Sequence, residues 1–301
     1  MSTVLVTGAS GNVGSRVVGE LLARDARVRA FVRDRDKAAT VLPAGTDLAF
    51  GDFTDAASLR TAFEGVDRVF LTSSNSPREV EDECAVIDAA AEAGVSRLVK
   101  LSAIDADPGS PLPGVAWHGQ IEEYVGRSGV PAVVLRSTWF MTNLFASAEA
   151  VAHTGSLFAP ADGGRIAMIH PGDVAASAAA VLAPDGHSAT DGHSVTDGHE
   201  GHTYLVTGGE ALTYEDVAAT LTEATGRTVT FVDVPEEAAQ QAFVEAGMPD
   251  WLVTHIVGVF RLIREGALAQ TTDTVLALTG RPPRTLAHFA REHAGLFGAR
   301  P

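Results

Sequence analysis

In the first half of the chain, short apolar runs alternate with stretches in which apolar residues recur at helical spacing. Each run is rich in Val, Leu or Phe without polar alternation, which is typical of strands covered on both faces. The six runs lie at residues 4–6, 28–32, 48–50, 68–71, 98–101 and 132–135. Between the first two, Val13, Val17 and Leu21 fall on one face of a helix. This alternation predicts an α/β fold with a doubly wound parallel sheet, whose ligand site lies at the carboxyl ends of the strands.

The second half of the chain has fewer strand-like segments and more helical spacing. Short β-type runs occur at 204–206 and 229–232. Helical patterns occupy residues 173–182, 214–224, 236–246, 251–263 and 286–293. We therefore expect a sheet domain over residues 1–150 and a smaller, mostly helical lobe over residues 151–301. The boundary is set loosely, because strands of the second half can cross back into the main sheet.

Composition and charge exclude several classes of partner. With 22 basic against 38 acidic residues, the formal net charge is −16, which argues against binding nucleic acid or an anionic membrane. No apolar stretch reaches the ~20 residues of a membrane span, and the N-terminus enters a strand without a charged leader, so we expect a cytoplasmic protein. The single cysteine, Cys84, excludes an internal disulfide and a multi-cysteine zinc site. Its helical surroundings predict a buried structural thiol.

A low-complexity insert with a period of six residues lies at 185–202 and holds four of the ten histidines. Histidine and aspartate are metal ligands, which makes a metal-binding tract one interpretation. The other interpretation is a flexible loop, because glycine in every repeat makes ordering costly and lengthening a loop costs little. We adopt the second interpretation and predict no metal site.

The first strand runs into a glycine-rich turn at residues 7–14 that opens a helix. Its glycines have the spacing Gly-x-x-Gly-x-x-Gly: Gly8 permits a tight turn, Gly11 lets the backbone approach a pyrophosphate, and Gly14 lets the helix pack closely on the sheet. The helix N-terminus then offers N–H groups and a favourable dipole to the phosphates. This context predicts a Rossmann-type NAD(P)-binding domain. The expected contacts are Gly8, Ser10, Gly11, Asn12, Val13 and Gly14.

Further cofactor contacts are expected after the next three strands. The second strand ends in Val32-Arg33, where an NAD-type site would carry an acid. Arg33 is suited to hold a 2′-phosphate, unless it is a solvated loop arginine paired with a nearby aspartate, so NADP(H) is expected to be preferred, with NAD(H) as the alternative. Asp52 and Phe53 follow the third strand and are expected near the adenine. The segment after the fourth strand is expected to line the path toward the nicotinamide, through Thr72, Ser73 and Ser74.

Several segments together resemble the atypical short-chain dehydrogenase/reductase superfamily and, within it, the NmrA-like group. The resemblance runs nearly end to end. It is carried by the glycine turn, Val32-Arg33, Gly51-Asp52, Lys100-Leu101-Ser102 and the segments at 135–143, 170–175 and 279–285. It implies a Rossmann domain with a small C-terminal substrate lobe, as in quinone oxidoreductase-like proteins, isoflavone-reductase-like enzymes and redox-sensing regulators. The insert at 185–202 departs from the group's pattern.

The catalytic Tyr-x-x-x-Lys motif of that superfamily is not intact in this chain. In an alignment on Glu122, the tyrosine position is Gly114 and the lysine position is His118. His118 is expected to bind the nicotinamide ribose or relay a proton, since its reference pKa lies near neutrality; a structural hydrogen bond is the alternative. Ser102, at the end of the fifth strand, is the second catalytic candidate. Its hydroxyl either contacts the substrate or nicotinamide, or it satisfies nearby backbone.

Large apolar side chains after the fifth and sixth strands predict the wall of a pocket for a small, flat aromatic substrate. Packing in the protein core would explain the same side chains. The expected wall consists of Trp117, Trp139, Phe140 and Met141.

Two functions fit these features. The first is an NAD(P)H-dependent oxidoreductase that delivers hydride to a quinone, enone or aromatic ketone, with a tailoring step in aromatic metabolite biosynthesis as one setting. Reduction of a quinone needs little general acid catalysis, because conjugation stabilises the reduced form. A quinone therefore suits a site without the tyrosine. The alternative is a non-catalytic dinucleotide redox sensor that acts through a protein partner. The sequence leaves the oligomeric state open.

Overall fold

A computed structural model of the chain describes residues 2–183 and 198–298. Its strands are β1 Thr3–Val6, β2 Arg27–Val32, β3 Asp47–Phe50, β4 Arg68–Leu71, β5 Arg97–Ala103, β6 Ala132–Ser137, β7 Ser156–Ala159, β8 Thr203–Val206 and β9 Thr230–Asp233. Seven of them form a parallel sheet in the order β3-β2-β1-β4-β5-β6-β8, and β7 pairs separately with β9. The predicted doubly wound parallel sheet is confirmed.

The helices flank both faces of this sheet and build the second lobe. They are α1 Gly14–Leu22, α2 Arg35–Val41, α3 Ala56–Phe63, α4 Glu79–Glu92, α5 Pro113–Ser128, α6 Ala148–Thr154, α7 Pro171–Leu182, α8 Tyr214–Thr225, α9 Glu236–Glu245, α10 Asp250–Arg264, α11 Thr274–Thr279 and α12 Leu286–Glu292. A 3-10 helix, Met141–Ser147, leads into α6. Every helix that the pattern of the second half predicts is present.

The chain order of the strands reverses at β1, because β2 and β3 lie on one side of it and β4, β5, β6 and β8 lie on the other. A crevice opens at such a switch point, outside the carboxyl ends of the strands. Parallel strands bury both faces, and β4 and β5 accordingly carry almost uninterrupted buried residues. The fold therefore places the turn after β1 at the edge where a ligand binds.

The second half of the chain contributes to both lobes. Strand β8 pairs with β6 at the edge of the main sheet, and α7 packs against α1. Helix α11 also packs on the sheet domain, against α7 and β8. Most of the remaining second half forms a lobe with a hydrophobic core of its own, built from side chains such as Leu157, Leu221, Phe260 and Phe289. A single cut at residue 150 therefore does not separate the two lobes, since the segment 171–206 returns to the sheet.

Four short elements are not predicted by the hydrophobic pattern of the sequence: β7, α6, α11 and the 3-10 helix. A strand of four residues or a helix of six shows too few positions to establish a period. In the two described stretches, no helix is both long and apolar enough to cross a membrane.

Most of the insert at 185–202, with the loop and metal interpretations placed on it, lies outside the described residues. At its end, Nδ1 of His199 lies 2.7 Å from the Tyr204 hydroxyl, and the His202 ring stacks on Tyr204. Within residues 2–183 and 198–298, no group of three or more His, Cys, Asp or Glu residues could hold a metal ion. Cys84 lies on α4 as predicted but is half-buried, and burial raises the pKa of its thiol to about 11.

Candidate active site

The carboxyl ends of the strands open into a cavity of about 870 Å³. Its walls are the turn after β1 and the segments that follow β2, β4, β5 and β6, and residues of α5 and α10 close it. The cavity therefore joins the sheet edge to the second lobe. Most of the residues that the sequence analysis assigns to cofactor and substrate lie around this one space.

The glycine turn has the geometry that its spacing predicts. Gly8 has φ of +54°, a left-handed conformation that favours glycine. A Cβ on Gly14 would lie 2.2 Å from the carbonyl oxygen of Gly8, so only glycine lets α1 start directly against the turn. Six residues of this turn line the cavity: Gly8, Ser10, Gly11, Asn12, Val13 and Gly14. The turn and the N-terminus of α1 therefore fit a pyrophosphate.

At the end of β2, Arg33 lines the cavity with a largely exposed side chain, and its guanidinium lies 3.7 Å from the Asp52 carboxylate. Lys37, which the sequence analysis does not assign, lines the same end of the cavity. Two cations at this end suit a 2′-phosphate. Phe53 also lines the cavity, and its ring stacks on Phe31 with the centroids 5.6 Å apart.

The Asp52 side chain is held within its own loop, and its place near the adenine stays a prediction. Its carboxylate accepts hydrogen bonds from the Thr54 amide (2.9 Å) and hydroxyl (2.7 Å), and these bonds lower the pKa of Asp52. It does not belong to the cavity wall within the described chain. The Asx turn draws the side chain back toward its own loop, so Asp52 acts on the cavity through Arg33.

Thr72, Ser73 and Ser74 line the cavity after β4, and their place along the path toward the nicotinamide stays a prediction. The Thr72 amide donates to the Thr7 hydroxyl (2.9 Å), which joins this segment to the glycine turn. The Ser73 hydroxyl donates to Oε1 of Glu83 (2.9 Å) on α4. Ser73 therefore connects the cavity wall to a charged group inside the protein.

A buried ion pair lies behind this wall. Nζ of Lys100, on β5, lies 2.7 Å from Oε2 of Glu83, and both side chains are at most 1% exposed. From the sequence, Lys100 contributes only to the family resemblance, and Glu83 has no predicted role. A lysine inside an apolar strand could have predicted a buried acidic partner, because a buried lysine requires a counter-charge.

His118 extends this pair toward the cavity, which it lines. Its Nδ1 lies 3.2 Å from Nζ of Lys100 and 3.4 Å from Oε1 of Glu79. A lysine ammonium only donates, so Nδ1 is the acceptor and Nε2 carries the proton. Burial, and then the charge of Lys100, hold the pKa of His118 well below its usual value. His118 is therefore neutral at physiological pH and does not titrate near neutrality as its reference pKa would suggest.

Glu79 is a carboxylic acid that keeps its proton at neutral pH. It begins α4, lines the cavity and is almost fully buried. Burial raises the pKa of Glu79 to about 8, against the opposing effect of Lys100. A protonated carboxyl group therefore faces the cavity beside the neutral His118.

Ser102 lines the cavity, but its hydroxyl is already engaged. It donates to Oε1 of Glu122 at 2.6 Å, and Arg136 holds the same carboxylate with a second contact of 2.6 Å. The partner is thus a carboxylate rather than the nearby backbone that the alternative interpretation specifies. The Ser102 oxygen keeps acceptor capacity, and its role toward substrate stays a prediction.

Half of the predicted aromatic wall lies on the cavity. Trp139 and Phe140 line it, and Leu252, Ile256 and Val259 of α10 complete an apolar surface. Trp117 and Met141 do not belong to the cavity wall within the described chain. Trp117 packs on Trp251 instead, with the ring centroids 5.2 Å apart. Trp117 is two residues after the cavity-lining Val115 on α5, and residues two apart on a helix lie on different faces. Met141 begins the 3-10 helix and is buried in the core of the second lobe.

Comparison with known proteins identifies the family. Residues 1–281 match the NmrA-like family. The chain belongs to the NmrA-like family. A solved NADPH-dependent quinone oxidoreductase from Escherichia coli, complexed with NADPH, has a TM-score of 0.84 and 30% identity, over 96% of this chain and 99% of that one.

Two relatives extend the comparison to named activities. An NAD(P)H azoreductase from Xenophilus azovorans is 36% identical over 296 residues, covering 98% of this chain and 99% of the relative. A (4-alkanoyl-5-oxo-2,5-dihydrofuran-3-yl)methyl phosphate reductase from Streptomyces griseus is 36% identical over 295 residues, covering 98% and 99%. The expectations of an NAD(P)H-dependent oxidoreductase and of a cofactor of the NADP(H) type are confirmed by these relatives and the NADPH complex.

Proposed function

We propose that this NmrA-like protein is an NADPH-dependent reductase of quinones and related flat, conjugated acceptors. The observation that carries the proposal is a single cavity that combines a dinucleotide-type glycine turn, a protonated buried acid and an apolar aromatic wall. When bound, the nicotinamide supplies a hydride. The remaining chemistry consists of holding the two reactants in contact and providing a proton.

The chain divides the binding of the cofactor among three positions. The turn from Gly8 to Gly14 receives the pyrophosphate, and Arg33 and Lys37 receive the 2′-phosphate. The polar segment after β4, from Thr72 to Asn75, continues along the cavity toward His118. This arrangement orients the cofactor with its reactive end toward the second lobe.

The proton comes from the group around His118. Glu79 carries a proton at pH 7, and neutral His118 lies beside it with Nδ1 held by Lys100. The Lys100–Glu83 pair keeps this region fixed, since both members are fully enclosed. We assign Glu79 as the proton source, and His118 as the group that orients the cofactor ribose or passes the proton on.

The apolar wall of the cavity and the activities for which similar proteins are named both support one class of substrate. Trp139, Phe140 and the apolar residues of α10 offer flat and aliphatic surface, which suits a conjugated ring better than a sugar or an organic acid. The relatives are named for the reduction of quinones, azo compounds and an oxo-dihydrofuran, all of them conjugated acceptors. Quinones and azo dyes are the first acceptors to try, and a role in aromatic metabolite tailoring would follow from the acceptor that is used best.

The experiment follows NADPH oxidation at the nicotinamide absorbance with a panel of quinones, enones, aromatic ketones and azo dyes. Turnover of at least one acceptor supports the proposal. Tight binding of NADPH or NADP⁺ that discriminates between the two forms, without turnover of any acceptor, would instead support the redox sensor.

Arg33→Ala is expected to weaken NADPH binding about 10- to 100-fold while leaving NADH almost unchanged. The lost contact is a charge-assisted hydrogen bond to the 2′-phosphate, which only NADPH carries. Titration of both cofactors measures the change. Arg35→Ala is the control, since Arg35 is an exposed arginine two residues on whose guanidinium stacks over Phe50. An equal loss of affinity for NADPH and NADH would show that Arg33 does not bind the 2′-phosphate.

The rate of quinone reduction is expected to fall as the pH rises through about 8. Glu79 is protonated below that pH and becomes a carboxylate above it, so the proton source is lost on the alkaline side. Glu79→Gln should be slower at pH 7 and should lack this decline. Glu81→Gln, an exposed acid on the same helix, should keep the wild-type profile. An unchanged profile in Glu79→Gln would contradict the assignment.

A further inference from the structure

The second lobe brings one imidazole into the cavity that the sequence analysis does not consider. His255 lies on α10 and lines the cavity together with Leu252, Ile256 and Val259. It belongs to the lobe that closes over the sheet edge, whereas Glu79 and His118 belong to the sheet domain. A polar ring on an otherwise apolar face of α10 calls for a chemical explanation.

The ring of His255 fills the space over the start of α5. A Cβ built on Gly114 would lie 2.8 Å from Cε1 of His255 and 3.2 Å from each of its two ring nitrogens. The edge of the imidazole that carries both nitrogens therefore faces Gly114. Any side chain at position 114 would have to displace this ring. The His255 ring can therefore occupy this space only because residue 114 is a glycine.

The described part of the chain leaves a buried nitrogen of this ring without a hydrogen bond. Nδ1 of His255 is buried and has no hydrogen-bond partner among residues 2–183 and 198–298. An unmatched buried polar atom is costly in a folded protein, unless something outside the chain satisfies it. Burial also lowers the pKa of His255, so the ring is neutral at pH 7 and offers one N–H donor and one acceptor nitrogen.

We propose that His255 is a catalytic residue that donates a hydrogen bond to the carbonyl oxygen of the acceptor. This inference rests on the proposed function. The reduction adds a hydride to the conjugated acceptor, and negative charge develops on that oxygen. A neutral imidazole can stabilise this charge through its N–H without giving up its proton, and the proton that finally neutralises the oxygen comes from Glu79. The second lobe thereby supplies a group that recognises the reacting oxygen.

The test compares three substitutions that separate hydrogen bonding from packing. His255→Ala removes the donor and the volume, His255→Phe keeps the volume without a donor, and His255→Gln keeps an N–H donor. We expect kcat with menadione, a naphthoquinone, to fall about 100-fold in the Ala and Phe variants, the usual effect of losing one oxyanion donor. The Gln variant should recover part of the loss, and NADPH affinity should stay at the wild-type value in all three. His153→Ala, an exposed histidine on α6, is the control.

A second readout does not depend on turnover. Menadione is titrated into each protein saturated with NADP⁺, where no reduction can occur. The dissociation constant should rise about fivefold in the Ala and Phe variants, the effect of one ordinary hydrogen bond. A Phe variant equal to the wild type in kcat and in binding would show that His255 only packs, and would overturn the inference while leaving the proposed function intact. A wild type that neither reduces nor binds any acceptor would contradict the proposed function, and the assignment of His255 with it.

Discussion

Gly11→Asp is expected to abolish NADPH binding in a protein that still folds. Gly11 lies in the cavity-lining turn to which we assign the pyrophosphate, and a carboxylate there would meet the phosphates directly. Like charges forced together cost several kcal/mol, and each 1.4 kcal/mol is about tenfold in affinity, so the dissociation constant should rise more than about 100-fold. Fluorescence titration of NADPH measures binding, and thermal unfolding reports on the fold.

The fold is expected to tolerate this change because Gly11 is not held in a left-handed conformation. A Cβ on Gly11 would lie 3.0 Å from the Gly8 carbonyl oxygen, a contact that a small shift relieves. Gly19→Asp is the matched control, since Gly19 lies on α1, the helix that follows this turn, with open space around its Cβ position. It should bind NADPH like the wild type. A Gly11→Asp protein that folds and binds NADPH with unchanged affinity would show that the cofactor lies elsewhere.

Lys100→Met is expected to cause a large loss of stability. The substitution leaves the buried Glu83 carboxylate without the ammonium group that lies 2.7 Å away. Removing one member of a buried ion pair costs about 3–5 kcal/mol, because the remaining charge stays in a medium of low polarity. In a chain of this size the melting temperature should fall by about 10 °C, as scanning calorimetry can measure.

The double variant Lys100→Met/Glu83→Gln separates the charge from the packing. It removes both charges, so the uncompensated carboxylate disappears and most of the stability should return. Its activity should still be low, because Nδ1 of His118 loses the ammonium donor that fixes its tautomer. A double variant as unstable as Lys100→Met would mean that the Lys100 side chain stabilises the protein through its packing rather than through the ion pair.

The sheet and the glycine turn could be predicted from the sequence because both depend on local patterns. Short apolar runs give parallel strands. The positive φ of Gly8 and the steric contacts that Gly11 and Gly14 make with the Gly8 carbonyl oxygen arise within the turn itself. The position of Arg33 follows in the same way, from the end of a single strand. These features need no knowledge of how distant parts of the chain meet.

The chemistry at the other end of the cavity depends on contacts that the sequence does not reveal. Glu79 and Glu83 are one helical turn apart on α4, a spacing typical of an ordinary acidic face, yet both are buried. Glu83 lies against Lys100 of β5, and Glu79 lies beside His118 of α5. The protonation of Glu79 and the neutrality of His118 arise from this burial, so their reference pKa values are misleading. His255 comes from a separate lobe, and Gly114 gives no hint of the ring above it.

The central claim is that this cavity transfers hydride from NADPH to a conjugated acceptor. The most direct measurement mixes the protein, loaded with one equivalent of NADPH, with a quinone in the absence of air and follows a single turnover. The NADPH carries deuterium at one or the other face of nicotinamide C4. The account predicts full oxidation of the bound NADPH, slowed by deuterium on one face and not on the other, because the cavity holds the nicotinamide in one orientation. Bound NADPH that stays reduced, or that is oxidised at the same rate with either label and with none, would contradict it.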